Sequence, residues 1–254
     1  MKEGLKMSLL EVENLVGGYT KYPVLKNISF ELKAGELVGL IGLNGAGKST
    51  TLKHIIGLMQ QQQGEIKINN RRLIDGADEY RQQFAVIPET PVLYDELTLK
   101  EHIELTGMAY NLTETEIKER MTPLLEMFRL TKRLNWFPNH FSKGMKQKVM
   151  LVCAFLVEPK LYIVDEPFVG LDPLAITNLL QILQDKRDEG CGILMSTHIL
   201  ATAEKYCDKF IIIHEGEIRA TGTLAELQQV FNMPEASLDD IYIQLTKEEA
   251  NYGK

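Results

Sequence analysis

The residues from Gly42 to Thr50, Gly42-Leu43-Asn44-Gly45-Ala46-Gly47-Lys48-Ser49-Thr50, satisfy the G-x-x-x-x-G-K-[ST] spacing. An apolar stretch, Leu37 to Ile41, precedes them, and Leu52, Ile55 and Ile56 follow as the apolar face of a helix ending near Gly57. A strand, a glycine-rich loop and a helix in that order aim backbone N–H groups and the positive end of a helix dipole at one point, where polyphosphate oxygens complete the missing hydrogen bonds. Lys48 then reaches the β- and γ-phosphates as a point charge, and the Ser49 hydroxyl takes one position on Mg²⁺. A second apolar run, Leu161-Tyr162-Ile163-Val164, ends in Asp165-Glu166. An acid pair at the end of a strand in the same sheet suits the rest of that chemistry, with Asp165 supporting the metal and Glu166 polarising an attacking water or taking its proton. Taken alone, such a pair is also found in solvated turns. Its company with the loop gives it chemical meaning.

These side chains need a frame. Strand patterns and turn residues recur in the first third of the chain, at Leu9 to Leu15, Val24 to Leu32, Glu36 to Ile41 and Gly64 to Ile68, with Asn69-Asn70 as a turn. Helix signals follow: Thr98 with Glu101 and Thr113 with Glu116 have capping-box spacing, and Ile117, Met121, Leu124, Leu125 and Phe128 form one apolar face. Strands and helices then alternate through Leu161 to Val164, Gly192 to Met195 and a hairpin from Phe210 to Ala220 turning at Glu215-Gly216. After Thr221 the chain reads as a polar helical tail, with Ser237 and Asp240 again at capping-box spacing. The four glutamines Gln60 to Gln63 read as a solvated turn.

Composition narrows the functional classes. The 254 residues are 44% hydrophobic and 25% charged, and 28 basic against 35 acidic residues give a net charge of −7, which argues against a broad nucleic-acid footprint. Cys153, Cys191 and Cys207 match neither a zinc knuckle nor a C-x-x-C pair and read as buried thiols in a reducing compartment. Met1 to Leu10 lack the apolar core of a signal peptide, and the longest apolar run, Met150 to Val157, is far short of the ~20 residues that span a membrane, so a cytosolic protein is expected. Met7 would itself make a sensible start, which leaves the first six residues as an extension.

Further residues carry a family resemblance. Phe141-Ser142-Lys143-Gly144-Met145-Lys146-Gln147, just upstream of the Asp165-Glu166 strand, resembles the signature segment of the ATP-binding cassette (ABC) family, and the resemblance runs in order through nearly the whole chain. It implies that Ser142 and the Gly144 backbone, at the start of a helix through Val149 and Cys153, cap the ATP held by another subunit. Tyr19, after Gly17-Gly18, stands where the family stacks an aromatic ring on adenine; a core or strand tyrosine is the other reading. Val169-Gly170-Leu171-Asp172 resembles the loop that meets the partner subunit, and His198 in Ser196-Thr197-His198 resembles the switch histidine at the γ-phosphate. His54, His102, His140 and His214 have no such company and read as incidental. Two positions depart from the pattern. Glu89, in Ile87-Pro88-Glu89-Thr90, replaces the usual metal-reporting glutamine; a carboxylate binds a cation but donates no hydrogen bond. The signature carries Phe141, Lys143 and Met145 for leucine, glycine and glutamine, and Lys143 reads either as added charge near the opposite phosphate or as a solvated lysine. These substitutions are similar to those of exporter-like members with separate membrane polypeptides, nearest the bacterial Ecs type.

The resemblance implies an α/β fold: a P-loop NTPase core with a RecA-like parallel sheet and flanking helices, an antiparallel β subdomain and an inserted helical subdomain. The expected divisions are an ATP-binding domain over 7–222, with its helical insert at about 90–160, and a helical tail over 223–254. The implied function is an ATP-hydrolysing subunit using ATP and Mg²⁺, paired with a second ATPase subunit, most simply a copy of itself, to drive a separate integral membrane permease from the inner face of the membrane. Glu166, His198 and Lys48 are its expected catalytic residues. Nucleotide is expected on Tyr19, on the loop residues from Gly42 to Thr50 (Leu43, Asn44, Gly45, Ala46, Gly47, Lys48 and Ser49 between them) and, across the pair, on Ser142 and Gly144. Metal is expected on Ser49, Asp165 and Glu89. Thr90 to Leu97, a loop polar except for Val92, Leu93 and Tyr94, reads either as a groove for a membrane subunit's helix or as packing against the helical lobe. A cassette ATPase acting on nucleic acid or ribosomes is the alternative; such proteins usually carry a second cassette, a long coiled coil or a basic surface, and this chain has none of them. A nucleotide-dependent switch or kinase would leave Ser142 to Gln147 and the Asp172 loop unexplained.

Overall fold

The computed structural model describes residues 8–252, with side chains through Lys247; Met7 as a start, the first six residues and the last two lie outside the described residues. The elements run β1 (Ser8–Gly17), β2 (Leu25–Lys33), β3 (Leu37–Ile41), α1 (Lys48–Ile55), β4 (Gln63–Ile68), α2 (Ala77–Arg81), β5 (Phe84–Ile87), α3 (Leu99–Ala109), α4 (Glu114–Met127), α5 (Lys143–Leu156), β6 (Leu161–Asp165), α6 (Pro173–Asp188), β7 (Gly192–Thr197), α7 (Leu200–Tyr206), β8 (Lys209–His214), β9 (Glu217–Gly222), α8 (Leu224–Val230) and α9 (Leu238–Tyr252).

Two sheets result. β2-β1-β4 is a small antiparallel sheet, and β5-β6-β7-β3-β8-β9 is a larger one, parallel from β5 to β8 and closed at one edge by antiparallel β9. The expected combination of a parallel core, an antiparallel sheet and a helical group is present. β3 is buried at all five positions because it lies in the middle of the large sheet with elements on both faces, which is why it reads as an uninterrupted apolar run. Successive side chains point to opposite faces, so Leu37 joins the core under α3–α6 while Val38 and Leu40 join the core shared with the small sheet and α1. A third core gathers Ile41, Phe210 and Ile212 under α7–α9.

Local signals match the elements they predict. Thr98 and Glu101, and Thr113 and Glu116, form complete capping boxes, as do Thr223 and Glu226, which the sequence reading leaves unmarked. A capping side chain of this kind contributes on the order of 1 kcal/mol. Ser237 and Asp240 exchange the same reciprocal bonds. Asn69 and Asn70 both adopt left-handed φ (51° and 61°), as a two-residue hairpin turn requires. Three details differ. β5 is a strand where none is expected, because four apolar residues show no period of their own. Gln63 is the first residue of β4 rather than turn. Of the three thiols only Cys153 is buried; Cys191 and Cys207 are partly exposed.

Candidate functional site

Parallel register decides what meets at the site. Ile41 pairs with Thr197 and Asp165 with Ser196, so the carboxyl ends of β3, β6 and β7 lie side by side, and the loops that leave them share one edge. A cleft of about 370 Å³ opens there. Its floor is the glycine-rich loop. A Cβ on Gly42 would run into the carbonyl of Ile213, and Gly47, with φ 115°, turns the chain into α1 in a conformation that L side chains rarely adopt. The side chain of Lys48, only 6% exposed, folds back over the loop and donates to the carbonyls of Gly42 (2.7 Å) and Leu43 (3.3 Å).

Glu166 faces Lys48 across the cleft. Its backbone is left-handed, φ 42°, which costs a non-glycine residue about 1–2 kcal/mol and persists only where the surroundings enforce it. Here its N–H is held by Ser196, through the carbonyl at 3.2 Å and Oγ at 3.1 Å. The strained turn swings the carboxylate inward to 7% exposure, where Oε1 lies 3.5 Å from Lys48 Nζ and Oε2 lies 2.8 Å from His198 Nδ1. Oε1 has no hydrogen-bond partner, so one lone-pair direction of a buried carboxylate is left for a donor within the cleft. Ser196, which the motifs do not mark, also donates to Asp165 Oδ1 at 2.5 Å and so supports both acids.

Magnesium fits the remaining oxygens. Ser49 Oγ donates to Asp165 Oδ1 at 3.3 Å, and Glu89 lines the same cleft. A hydroxyl and carboxylates are hard donors, and so small a set suits a cation that keeps waters and substrate phosphates in its shell. Among the described residues no three or more His, Cys, Asp or Glu side chains converge into a protein-only cage.

Tyr19 stands exposed at the mouth, so its reading as a core tyrosine fails. Lys53 Nζ donates to its hydroxyl at 3.0 Å and sits 5.2 Å from the ring centroid. Those bonds from Lys53, and then Thr50, hold its phenol below the ordinary tyrosine range. Val24 also lines the cleft and is missed by the motifs, since an isolated valine carries no signal.

Not every expected residue reaches the cleft. Tyr19, Leu43, Asn44, Gly45, Gly47, Lys48, Ser49, Thr50, Glu89, Glu166 and His198 line it; Gly42 and Ala46 are turned into the fold, and Asp165 is reached through Ser49. Ser142 and Gly144 lie outside it. Ser142 Oγ accepts the Met145 N–H and caps α5, and Gly144 lies so close to the Gly170 carbonyl that a Cβ would collide with it. Asp172 caps α6 through Ala175 (2.9 Å) and accepts from Lys148 Nζ (2.5 Å). Gln147, also in the signature segment, donates to the Pro88 carbonyl at 3.0 Å and so braces the loop that carries Glu89. His54 and His102 are structural: His54 Nδ1 lies 3.0 Å from the Met59 carbonyl, and His102 Nε2 accepts the Tyr94 N–H.

Known proteins resemble this chain in sequence and in fold. Residues 25–169, more than half of the chain, match the family described as ABC transporter. The chain is 61% identical to the ABC-type transporter ATP-binding protein EcsA of Bacillus subtilis (strain 168) over 97% of its own length and all of that protein's. It is 42% identical to the uncharacterized ABC transporter ATP-binding protein YthP of the same organism, covering 92% and 95% of the two chains. A solved structure of an ATP-binding subunit of an ABC transporter superposes with a TM-score of 0.92 at 61% identity, over 94% of this chain and all of that one. The chain belongs to the ABC transporter family, as one of its ATP-binding, ATP-hydrolysing subunits.

Proposed function

We propose that this ATPase binds Mg²⁺-ATP in the cleft and works as one of a pair, most simply with a second copy of itself, to drive separate membrane-embedded permease subunits from the inner face of the membrane. The carrying observation is the placement of Glu166, buried and strained between Lys48 Nζ and His198 Nδ1, with Oε1 ion-paired to Lys48 but in no hydrogen bond. A carboxylate held there is a base poised beside a phosphate-binding loop.

In this reading Lys48, the loop N–H groups and the start of α1 bind the phosphates, Tyr19 stacks on the base, and Glu166 takes a proton from the attacking water while His198 orients it. Ser49, Asp165 and Glu89 would hold Mg²⁺, whose chemistry is to neutralise charge on the β- and γ-phosphates. Ser142 and the Gly144 backbone serve the nucleotide of the opposite subunit, which accounts for their separation from their own cleft. ATP held between two faces favours the closed pair, and loss of the γ-phosphate removes that difference in binding energy. The proposed divisions remain an ATP-binding domain over 7–222, a helical insert at about 90–160 and a tail over 223–254. A permease is assigned to the loop before α3, where the exposure of Val92 and Tyr94 (76% and 62%) supports the groove reading, while Leu93 between them is partly buried and packs against the core. Among the described residues no helix is long and apolar enough to cross a membrane.

Glu166→Gln tests the proposal. The variant is expected to bind ATP, to lose turnover by about 10²–10⁴-fold and to elute as a dimer in ATP. Normal hydrolysis by this variant would remove Glu166 from its role.

A further inference from the structure

The phosphate loop is held by a residue 199 positions away. The Leu43 N–H donates to the hydroxyl of Tyr242 at 2.9 Å. Tyr242 lies on α9, where Leu238, Ile241, Tyr242 and Leu245 form a buried face at three- and four-residue spacing against Ile41, Phe210 and Ile212, the end of β3 and the strand beside it. The tyrosine is 5% exposed, so the ring is packed and only its hydroxyl reaches the loop.

The position of this bond gives it meaning. A peptide group is planar, so the carbonyl of Gly42 and the N–H of Leu43 belong to one rigid unit. The Gly42 carbonyl accepts from Lys48 Nζ at 2.7 Å, and the Leu43 N–H on the other side of the same unit is held by Tyr242. Rotating that peptide breaks both bonds together. A donated N–H also polarises its carbonyl and strengthens it as an acceptor. An ammonium has three protons, and the Gly42 and Leu43 carbonyls take two of them, which leaves Lys48 oriented before any phosphate arrives. α9 is itself fixed at its start, where Glu204 on α7 accepts the Leu238 N–H at 2.6 Å.

We propose that Tyr242 is a positioning residue for nucleotide binding: through the Gly42-Leu43 peptide it sets the anchor of Lys48, and so makes the C-terminal helix part of the phosphate site. The proposal rests on the reading of this loop as the phosphate cradle. Tyr242→Phe keeps the ring and its packing but removes the acceptor. In the full chain it is expected to raise the dissociation constant for ADP and the KM for ATP by about three- to tenfold, the worth of one neutral hydrogen bond, with a smaller fall in kcat at saturating ATP. Amide exchange in a peptide covering Leu43 is expected to quicken without ligand. Glu204→Ala loosens the start of α9 without touching the loop, and is expected to lower Tm more than Tyr242→Phe does and to weaken ADP binding less. An ADP affinity in Tyr242→Phe equal to that of the wild type overturns the proposal, as does an equal fall in affinity in Glu204→Ala, which would assign the effect to helix docking. Lys48→Ala separates the two levels: if ADP binding survives it undiminished, the cradle reading fails, whatever Tyr242 does.

Discussion

The glycine-rich loop and the signature segment are both short turns at the start of a helix, yet the chain treats them differently. Around the loop, Lys48 and Glu166 are buried and paired, Ser49 reaches Asp165, and Ser196 supports both acids. Around the signature segment, Ser142 is exposed and spends its hydroxyl on its own helix, Lys143 is exposed, and Gly144 abuts the Gly170 carbonyl. One region is complete within the chain. The other offers a helix N-terminus to solvent, held in place by the Asp172 loop behind it. The contrast teaches that polar groups wired for chemistry are desolvated and mutually oriented before substrate arrives, with Glu166 Oε1 alone kept out of a hydrogen bond, whereas the groups proposed to serve another subunit's nucleotide are braced from behind and left open in front. If that is right, damage to the first region should change both nucleotide affinity and turnover, and damage to the second should change turnover alone.

Among the variants that test this comparison, Gly144→Ala gives the largest expected effect. The added methyl would collide with the Gly170 backbone, so the signature segment and the loop ending in Asp172 must move apart. Misplacing a positioning element by about 1 Å can cost on the order of 10²-fold in rate, and a loss of this size in kcat is expected with ADP affinity unchanged, by steady-state kinetics beside calorimetric titration. A parallel loss of ADP affinity would break the comparison, because it would tie Gly144 to the chain's own cleft.

How far the sequence carried each region follows from the range of its interactions. The loop, the acid pair and the capping boxes are contiguous patterns whose chemistry depends on neighbours a few residues away, and their geometry was legible. β5 was not, because Phe84-Ala85-Val86-Ile87 becomes a strand only by pairing with Leu161 to Val164, far along the chain. Tyr242 was hidden for the same reason: on α9 it is one apolar position among several, and only the packing of that helix brings its hydroxyl to Leu43. Ser196 lay between. It directly precedes Thr197-His198, and the parallel pairing of β6 with β7 places it opposite Asp165, a register that alternating strands and helices suggest but do not number.

Ser196→Ala probes the complete region with a smaller change. Its hydroxyl donates to Asp165 and accepts the Glu166 N–H, and it is fully buried. Removal leaves the carboxylate of Asp165 short of a donor and loosens the turn that aims Glu166. Destabilisation of about 1–3 kcal/mol is expected in urea unfolding, because a buried polar group loses its partner. Turnover and Mg²⁺-ATP affinity should fall together, and a variant with normal affinity and reduced turnover would place Ser196 with the open region instead.

The smallest expected effect lies at Asp172, where the braced back of the open region meets its front. The hydrogen bond from Lys148, and then the Ala175 N–H, hold its carboxyl below the ordinary aspartate range. A depressed folded pKa means that the unfolded chain binds the proton first on acidification. The contribution to stability is therefore fully present above the ordinary aspartate pKa and is lost as pH falls through the lowered folded value. About half of this side chain is exposed, so solvent screening keeps that contribution under about 1 kcal/mol. Asp172→Asn retains an N-cap oxygen for α6 but not the charge. Its unfolding midpoint should match the wild type at neutral pH to within that margin and fall less steeply on acidification. Turnover is expected to drop by more than so small a loss explains, by about three- to tenfold, the worth of one ordinary hydrogen bond. Since the variant keeps its own fold and cleft, such a drop would locate the missing interaction on another subunit; unchanged turnover would confine Asp172 to capping α6 and holding Lys148.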